Sequence, residues 1–273
     1  MRSRRLAAGL LCAAIALQSS PASARRAPRR IQLKRNTLKL NAKTMRLRVG
    51  PRAAREITLA LDQRQSANGT GGEVRTLRAM VHLLRALKAH DAYTHGHAIR
   101  VGRYAMATAK ALGLDAKSVN TVSISAKLHD IGKMGVSRRV INGTSGKLTR
   151  AKRMMFSRHP ATGVALLEPF AKAKPYVAGV LTHHENVDGT GYPLRIGQEK
   201  IPLVGRIIAV ADAFDAMTSA RTYNKPMGQY AALAQLKRLA GKKFDTQVVT
   251  AFIKAIKSDP HAKRAINDAR TAR

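Results

Sequence analysis

The stretch Glu73-Val74-Arg75-Thr76-Leu77-Arg78-Ala79-Met80-Val81-His82-Leu83-Leu84-Arg85-Ala86-Leu87 decides the fold class. Val74, Leu77, Val81, Leu84 and Leu87 recur at three- and four-residue steps, the period that lines one face of a helix. The spacing predicts an amphipathic helix with those five side chains as its buried stripe. The same period continues downstream between residues that start and stop helices. A second helix is expected over 94–112, with Gly113 as its stop. Asp115 caps a third, ending near Gly132. Thr149 caps a fourth, and Pro160 marks a break inside the next pair. Pro175 opens a helix through His184, Pro202 opens another through Thr218, and two more are expected near 229–240 and 245–257. No run joins β-branched alternation to hairpin turns. The expected fold class is therefore all-α, a helical bundle over 73–258 with metal or ligand sites built between facing helices.

Upstream of the bundle the sequence changes character. Arg2, Arg4 and Arg5 precede an apolar run, Leu6 to Leu17, and Ala22-Ser23-Ala24 offers a small-residue cleavage site. This three-part form is that of an export signal, and its apolar run is too short to span a bilayer of roughly 30 Å. The expectation is cleavage after Ala24 and a periplasmic or secreted protein. The alternatives are an uncleaved membrane anchor, or a cytoplasmic protein with a misassigned start codon. Residues 25–72 read as a basic arm. Thr37-Leu38-Lys39-Leu40 and Met45-Arg46-Leu47-Arg48-Val49 alternate as a small hairpin would, and equally suit an extended linker. The arm ends in Asn68-Gly69-Thr70-Gly71-Gly72, a flexible break, and 259–273 reads as a basic tail.

Charge and cysteine content bound the chemistry. Lys and Arg number 50 against 15 Asp and Glu, a formal +35. Such an excess suits anionic partners, nucleotides or nucleic acid among them, and equally suits a solvated basic surface. Cys12 is the only cysteine, so an intramolecular disulfide and a thiolate metal cluster are both excluded. Any metal must be held by histidines and carboxylates.

With so few acids, their positions matter. His129-Asp130 precedes Ile131-Gly132-Lys133 at the end of an expected helix. An adjacent His and Asp can put an imidazole on one metal and a carboxylate across two, a donor set suited to Fe, Mn or Zn. Lys133 points into the same space as a phosphate anchor. Alone, such a pair is usually a surface feature. Here it is joined by His159 before Pro160, by the tandem His183-His184, and by Asp212 inside Ile207-Ile208-Ala209-Val210-Ala211-Asp212-Ala213-Phe214. A carboxylate in that apolar run is expensive to bury unless it is paired or metal-bound. Tandem histidines on a helix point about 100° apart, so each can serve a different metal. The loop Glu185-Asn186-Val187-Asp188-Gly189-Thr190-Gly191-Tyr192-Pro193 follows. Its glycines let backbone N–H groups approach a phosphate, and Tyr192 offers a ring for a purine.

These motifs resemble the HD-GYP family of phosphodiesterases. The likeness runs through Tyr93-Thr94-His95-Gly96-His97-Ala98-Ile99-Arg100-Val101, His129-Asp130-Ile131-Gly132-Lys133, His159-Pro160 with Gly163, His183-His184-Glu185, Asp188-Gly189-Thr190-Gly191-Tyr192-Pro193, Ile201-Pro202 through Ala216-Met217, and Phe244-Asp245. It covers about two thirds of the chain. The resemblance implies hydrolysis of cyclic di-GMP to the linear dinucleotide or to GMP, with two divalent metal ions, Fe or Mn. It implies metal ligation by His97, His129, Asp130, His159, His183, His184 and Asp212. Asp130 would bridge the metals, and Lys133 would take a phosphate oxygen. Asp188, Gly191, Tyr192, Pro193, Arg221 and Lys225 are the other implied substrate contacts, and the Gly191-Tyr192-Pro193 loop is also implied in contacts with partner proteins. Tyr93 stands where members with a third metal carry Glu, which favours two metals. Ser137-Arg138-Arg139-Val140-Ile141-Asn142-Gly143 lacks the family's proline and acid, and Asn224 stands where a basic residue is common. The competing readings are a phosphohydrolase of another nucleotide, a non-catalytic nucleotide-binding or partner-docking module, and nucleic-acid binding led by the basic arm.

Overall fold

A computed structural model describes residues 37–39, 46–63, 71–137, 140–141, 149–220 and 226–271. Residues 1–24, expected to be an export signal, and Arg138, Arg139, Asn142, Gly143, Arg221, Asn224 and Lys225 lie outside the described residues. Among the described residues the fold is a helical bundle with one two-stranded sheet. Strands β1 (Thr37–Lys39) and β2 (Arg46–Arg48) pair antiparallel, the hairpin alternative for the basic arm. The helices are α1 (Pro51–Asp62), α2 (Gly72–His90), α3 (Ala92–Ala111), α4 (Ala116–Leu128), α5 (Arg150–Phe156), α6 (His159–Leu167), α7 (Lys174–Thr182), α8 (Leu203–Thr218), α9 (Gln229–Leu239), α10 (Thr246–Ser258) and α11 (Pro260–Thr271). Among the described residues no helix is long and apolar enough to cross a membrane.

The capping residues behave as their chemistry requires. Asp115, Thr149 and Asp245 each accept a hydrogen bond from a backbone N–H in the first turn of the helix they precede, satisfying donors that have no partner within the helix. The helix after Pro202 covers the expected residues through Thr218. Two boundaries are shorter than expected. The third helix stops at Leu128 and gives way to a 3₁₀ turn over Ile131–Gly135. The helix opened by Pro175 stops at Thr182, so His183 and His184 follow its last turn.

Three expectations are corrected. Residues 51–62, assigned to the arm, form α1, and its Ala53, Ala54, Ile57, Ala60 and Leu61 are buried against α2. Residues 260–271, read as a tail, form α11, whose Ala262 and Ala265 are buried and whose Asp268 pairs with Arg103 of α3. On α2 the buried stripe is Thr76, Ala79, Met80, Leu83, Ala86 and Leu87, whereas Val74, Leu77 and Val81 are exposed. In α1 and α11 alanine carries much of the contact, letting helices approach closely, and a periodicity weighted by large side chains does not register it; on α2, Ala79 and Ala86 extend a stripe of Met80, Leu83 and Leu87.

Two cores result. One joins β2, α1, α2, the 3₁₀ turn, α6 and α7; the other joins α3, α4, α8, α9, α10 and α11 around Tyr104, Phe214 and Phe252. Helix α3 is central to the second and packs on α4, α8, α10 and α11. The His129-Asp130 pair sits where the cores meet: Ala126 belongs to one, and Leu128 and Ile131 to the other.

Candidate metal centre

Five parts of the chain converge at this junction. His97 comes from α3, His129 and Asp130 from the end of α4, His159 from the first turn of α6, His183 and His184 from the end of α7, and Asp212 from α8. His97, His129, Asp130, His159 and His183 are all buried. Two groups form. In one, ligand atoms of His97, His129 and Asp130 lie within 4.8 Å of one another; in the other, those of His159, His183 and His184 do so. Asp212 stands between them, with Oδ1 3.0 Å from His97 Nε2 and Oδ2 3.9 Å from His184 Nδ1. Asp130 reaches both groups, its Oδ2 lying 3.2 Å from His129 Nε2 and its Oδ1 3.4 Å from His159 Nε2.

The imidazoles are oriented by one recurrent device. His129 Nδ1 lies 2.6 Å from the Ala126 carbonyl, His159 Nδ1 2.8 Å from that of Phe156, and His183 Nδ1 2.9 Å from that of Val180. Each ring thus donates Nδ1–H to the carbonyl three residues earlier, and each Nε2 lone pair faces the interior. Consequently His159 Nε2 and His183 Nε2 confront one another at 3.2 Å, two acceptors that need a cation between them. His129 Nε2, Asp130 Oδ1 and His184 Nε2 are buried with no hydrogen-bond partner among the described residues. Buried polar atoms are rarely left so. Inward lone pairs, orphaned atoms and a nitrogen-oxygen donor set without sulfur all fit divalent transition metals.

The charges of the site follow from its burial. Burial drives His183 well below its ordinary value, His159 down to about 3 and His184 down to about 4, so all three are neutral imidazoles at neutral pH and able to ligate a metal. Burial also opposes a charge on His97, but the hydrogen-bonded carboxylates of Asp212 and Asp215 outweigh it and push this imidazole up to about 9. Burial would raise Asp130 and Asp212; the neighbouring His129 and Lys133 hold Asp130, and His97 holds Asp212, well below the usual carboxylate range. Lys133 Nζ donates to Asp130 Oδ2 at 2.5 Å and lies over the Phe156 ring.

Backbone contacts as well as ligands shape the site. A Cβ on Gly132 would fall 1.9 Å from the His159 carbonyl oxygen and 2.5 Å from Gly163 N, so glycine lets the His-Asp turn lie directly on α6. The loop after the tandem folds back over it. Tyr192 N donates to the His184 carbonyl, and its ring lies 4.7 Å from the His184 ring at a 32° tilt. Glu185, itself buried, accepts from the N–H groups of Leu194, Arg195 and Ile196. Gly191 passes close enough to the chain that a Cβ would meet Asn186 N at 2.4 Å. Asp188 is exposed and binds Thr190 N and Oγ1, which hold its carboxyl below the usual range. It shapes the loop.

Residues 82–248 match the HD domain family, well over half of the chain. The chain belongs to the HD-domain family. Its relatives include the cyclic di-GMP phosphodiesterase response regulator RpfG of Xanthomonas campestris, 36% identical over 214 residues, covering 77% of this chain and 56% of that protein. The cyclic di-GMP phosphodiesterase PA4108 of Pseudomonas aeruginosa is 39% identical over 179 residues, covering 65% of this chain and 42% of that one. This HD-domain chain therefore spans about half the length of those relatives. Among solved structures, Bd1817, an HDG"Y"P protein from Bdellovibrio bacteriovorus, shares the fold with a TM-score of 0.53 at 17% identity over 76% of this chain and 72% of that one.

Sequence reasoning did not single out Arg100, Asp215, Ser219 or the loop-holding role of Glu185. Asp215 carried the same signal as Asp212, an acid in the apolar helix, three residues further along the same face.

Proposed function

We propose that this chain is a dinuclear-metal phosphodiesterase of the HD-GYP type, acting on cyclic di-GMP. The observation that supports it most is the pair of buried ligand groups that share Asp130 and flank Asp212. His97, His129, Asp130 and Asp212 would hold one cation, Fe or Mn, and His159, His183, His184 and the second oxygen of Asp130 the other. Two such ions supply Lewis acidity to polarise a phosphodiester and to activate water for in-line attack. The chain's own residues do the rest. The pinned Nδ1–H donors keep the imidazoles fixed through turnover. Lys133, already at the rim on Asp130, turns its ammonium to a non-bridging phosphate oxygen, where it meets charge developing in the transition state. Tyr192 presents its ring beside His184 as a stacking surface for a guanine. Arg221 and Lys225 supply further positive charge to the phosphates. The loop through Gly191-Tyr192-Pro193 serves also as a protein contact, and the segment 1–24 directs export.

The activities for which those relatives are named support the substrate. The test is turnover by the purified chain loaded anaerobically with Mn or Fe, with chromatography resolving the linear dinucleotide from GMP. Asp130→Ala, which removes the shared ligand, is expected to abolish turnover and reduce bound metal. Turnover by that variant at the parent rate would sink the assignment. An inactive parent with metal bound would shift the reading to another phosphoester or to a nucleotide-binding role.

A further inference from the structure

Asp212 and Asp215 sit one turn apart on one face of α8, and Ser219, the residue that follows its last turn, lies four residues beyond Asp215. On α3, His97 and Arg100 are likewise one turn apart. The two faces meet, and His97 is held between two carboxylates of one helix: Asp212 Oδ1 at 3.0 Å from Nε2, and Asp215 Oδ2 at 2.7 Å from Nδ1. Asp215 is gripped in turn. Arg100 Nε donates to its Oδ1 at 2.7 Å, while Arg100 Nη2 and Ser219 Oγ donate to its Oδ2 at 2.9 and 3.1 Å. Arg100 Nη2 also donates to Ser219 Oγ at 3.1 Å. The side chains of His97, Arg100, Asp215 and Ser219 are buried.

His97 differs from the other ligands here. His129, His159 and His183 each find a carbonyl three residues back on their own segment. His97 lies in the middle of α3, where the helix ladder occupies the backbone carbonyls, and its Nδ1 pairs with a carboxylate from α8. A buried ion pair such as Arg100–Asp215 is a weak source of net stability, because desolvation offsets the attraction. As an orienting device it has a clear use, since it fixes one carboxylate oxygen against His97 Nδ1.

We infer that Asp215, clamped by Arg100 and Ser219, is a positioning residue that keeps the proton of His97 on Nδ1 and its Nε2 lone pair on the metal side. The inference rests on the metal-site reading above and concerns one of the two sites, that of His97, His129 and Asp130. Substituting Asp215→Asn separates orientation from packing. Arg100 donates to both oxygens of Asp215, and His97 Nδ1 and Ser219 Oγ share the second, so a neutral amide cannot receive all of these donors. The ring loses the anion that holds its proton on Nδ1, and the hold on its Nε2 lone pair weakens.

The experiment is Mn²⁺ binding to the full chain, followed by isothermal titration and by electron paramagnetic resonance, which separates a coupled Mn pair from an isolated Mn ion. The parent is expected to bind two Mn²⁺ and give the coupled spectrum. Asp215→Asn is expected to keep one site and lose affinity at the other by about ten- to a hundredfold, giving the isolated-ion spectrum at one equivalent. Arg100→Gln leaves Asp215 in place but ungripped and is expected to weaken the same site; it decides the matter if Asp215→Asn does not fold. Coupled spectra and parent affinity in the folded variants overturn the inference while leaving the metal-site reading intact. A parent that binds fewer than two Mn²⁺ overturns both.

Discussion

Replacing Gly132 with alanine should damage both the fold and the metal centre, and the size of the effect follows from the contact it creates. The added Cβ would lie 1.9 Å from the His159 carbonyl oxygen, where ordinary contact begins at 3.4 Å, a shortfall of 1.5 Å. The atoms it meets, His159 O and C and Gly163 N, are all backbone, so no side chain can swing aside. The 3₁₀ turn and α6 must separate. Overpacking of a buried contact costs about 1–3 kcal/mol, and a backbone-to-backbone clash belongs at or above the upper end. At roughly 2–4 °C per kcal/mol for a chain of this size, the melting temperature of the metal-free protein should fall by about 6–12 °C. The same separation carries His159 away from Asp130, whose facing atoms are 3.4 Å apart. Metal ligands tolerate displacements of only about 0.2 Å, so Mn²⁺ affinity should fall even where the variant remains folded. Gly228→Ala is the control, because a Cβ there meets nothing within 4 Å. Circular dichroism melts with and without Mn²⁺, together with metal content after dialysis, measure both effects. A Gly132→Ala protein that melts with the Gly228→Ala control and retains its metal would refute the packing argument.

Two further substitutions test the loop and the second core. Glu185→Gln leaves one acceptor oxygen where two receive Leu194, Arg195 and Ile196 N–H. The loss of about 1–3 kcal/mol should be local, seen as faster amide exchange at residues 194–196 with the global melt little changed; unchanged exchange would show that the carboxylate does not hold the loop. Phe214→Ala removes a fully buried ring in edge contact with Tyr104 and Phe252. It should cost about 3–5 kcal/mol in chemical denaturation, and a loss below about 1 kcal/mol would mean that α8 is anchored elsewhere.

The parts of this protein visible in its sequence are those where one residue type has one physical use. Asp115, Thr149 and Asp245 announce helix starts because a short acceptor side chain there satisfies free N–H groups. Asp212 and the histidines stand out because charge and imidazole are costly to bury without a purpose. What was hidden lay in alanine and in long-range pairing. Ala53, Ala54 and Ala60 of α1, Ala79 and Ala86 of α2, and Ala262 and Ala265 of α11 make close helix contacts with no large apolar signal. The orienting role of Asp215 depends on Arg100 and His97, more than a hundred residues earlier, and appears only when α3 and α8 are brought together. Arg100 and Glu185 lay within the motifs that were noticed, but charge in a motif does not show whether it faces a substrate or a neighbour.

The central claim is that two metal ions, sharing Asp130, act together on a phosphodiester. The most direct test is to titrate metal-free chain with Mn²⁺ while measuring cyclic di-GMP hydrolysis. Little activity is expected at one equivalent, with a rise that breaks at two per chain and complete loss on adding a chelator. Full activity at one equivalent, or turnover that survives chelation, would contradict the claim.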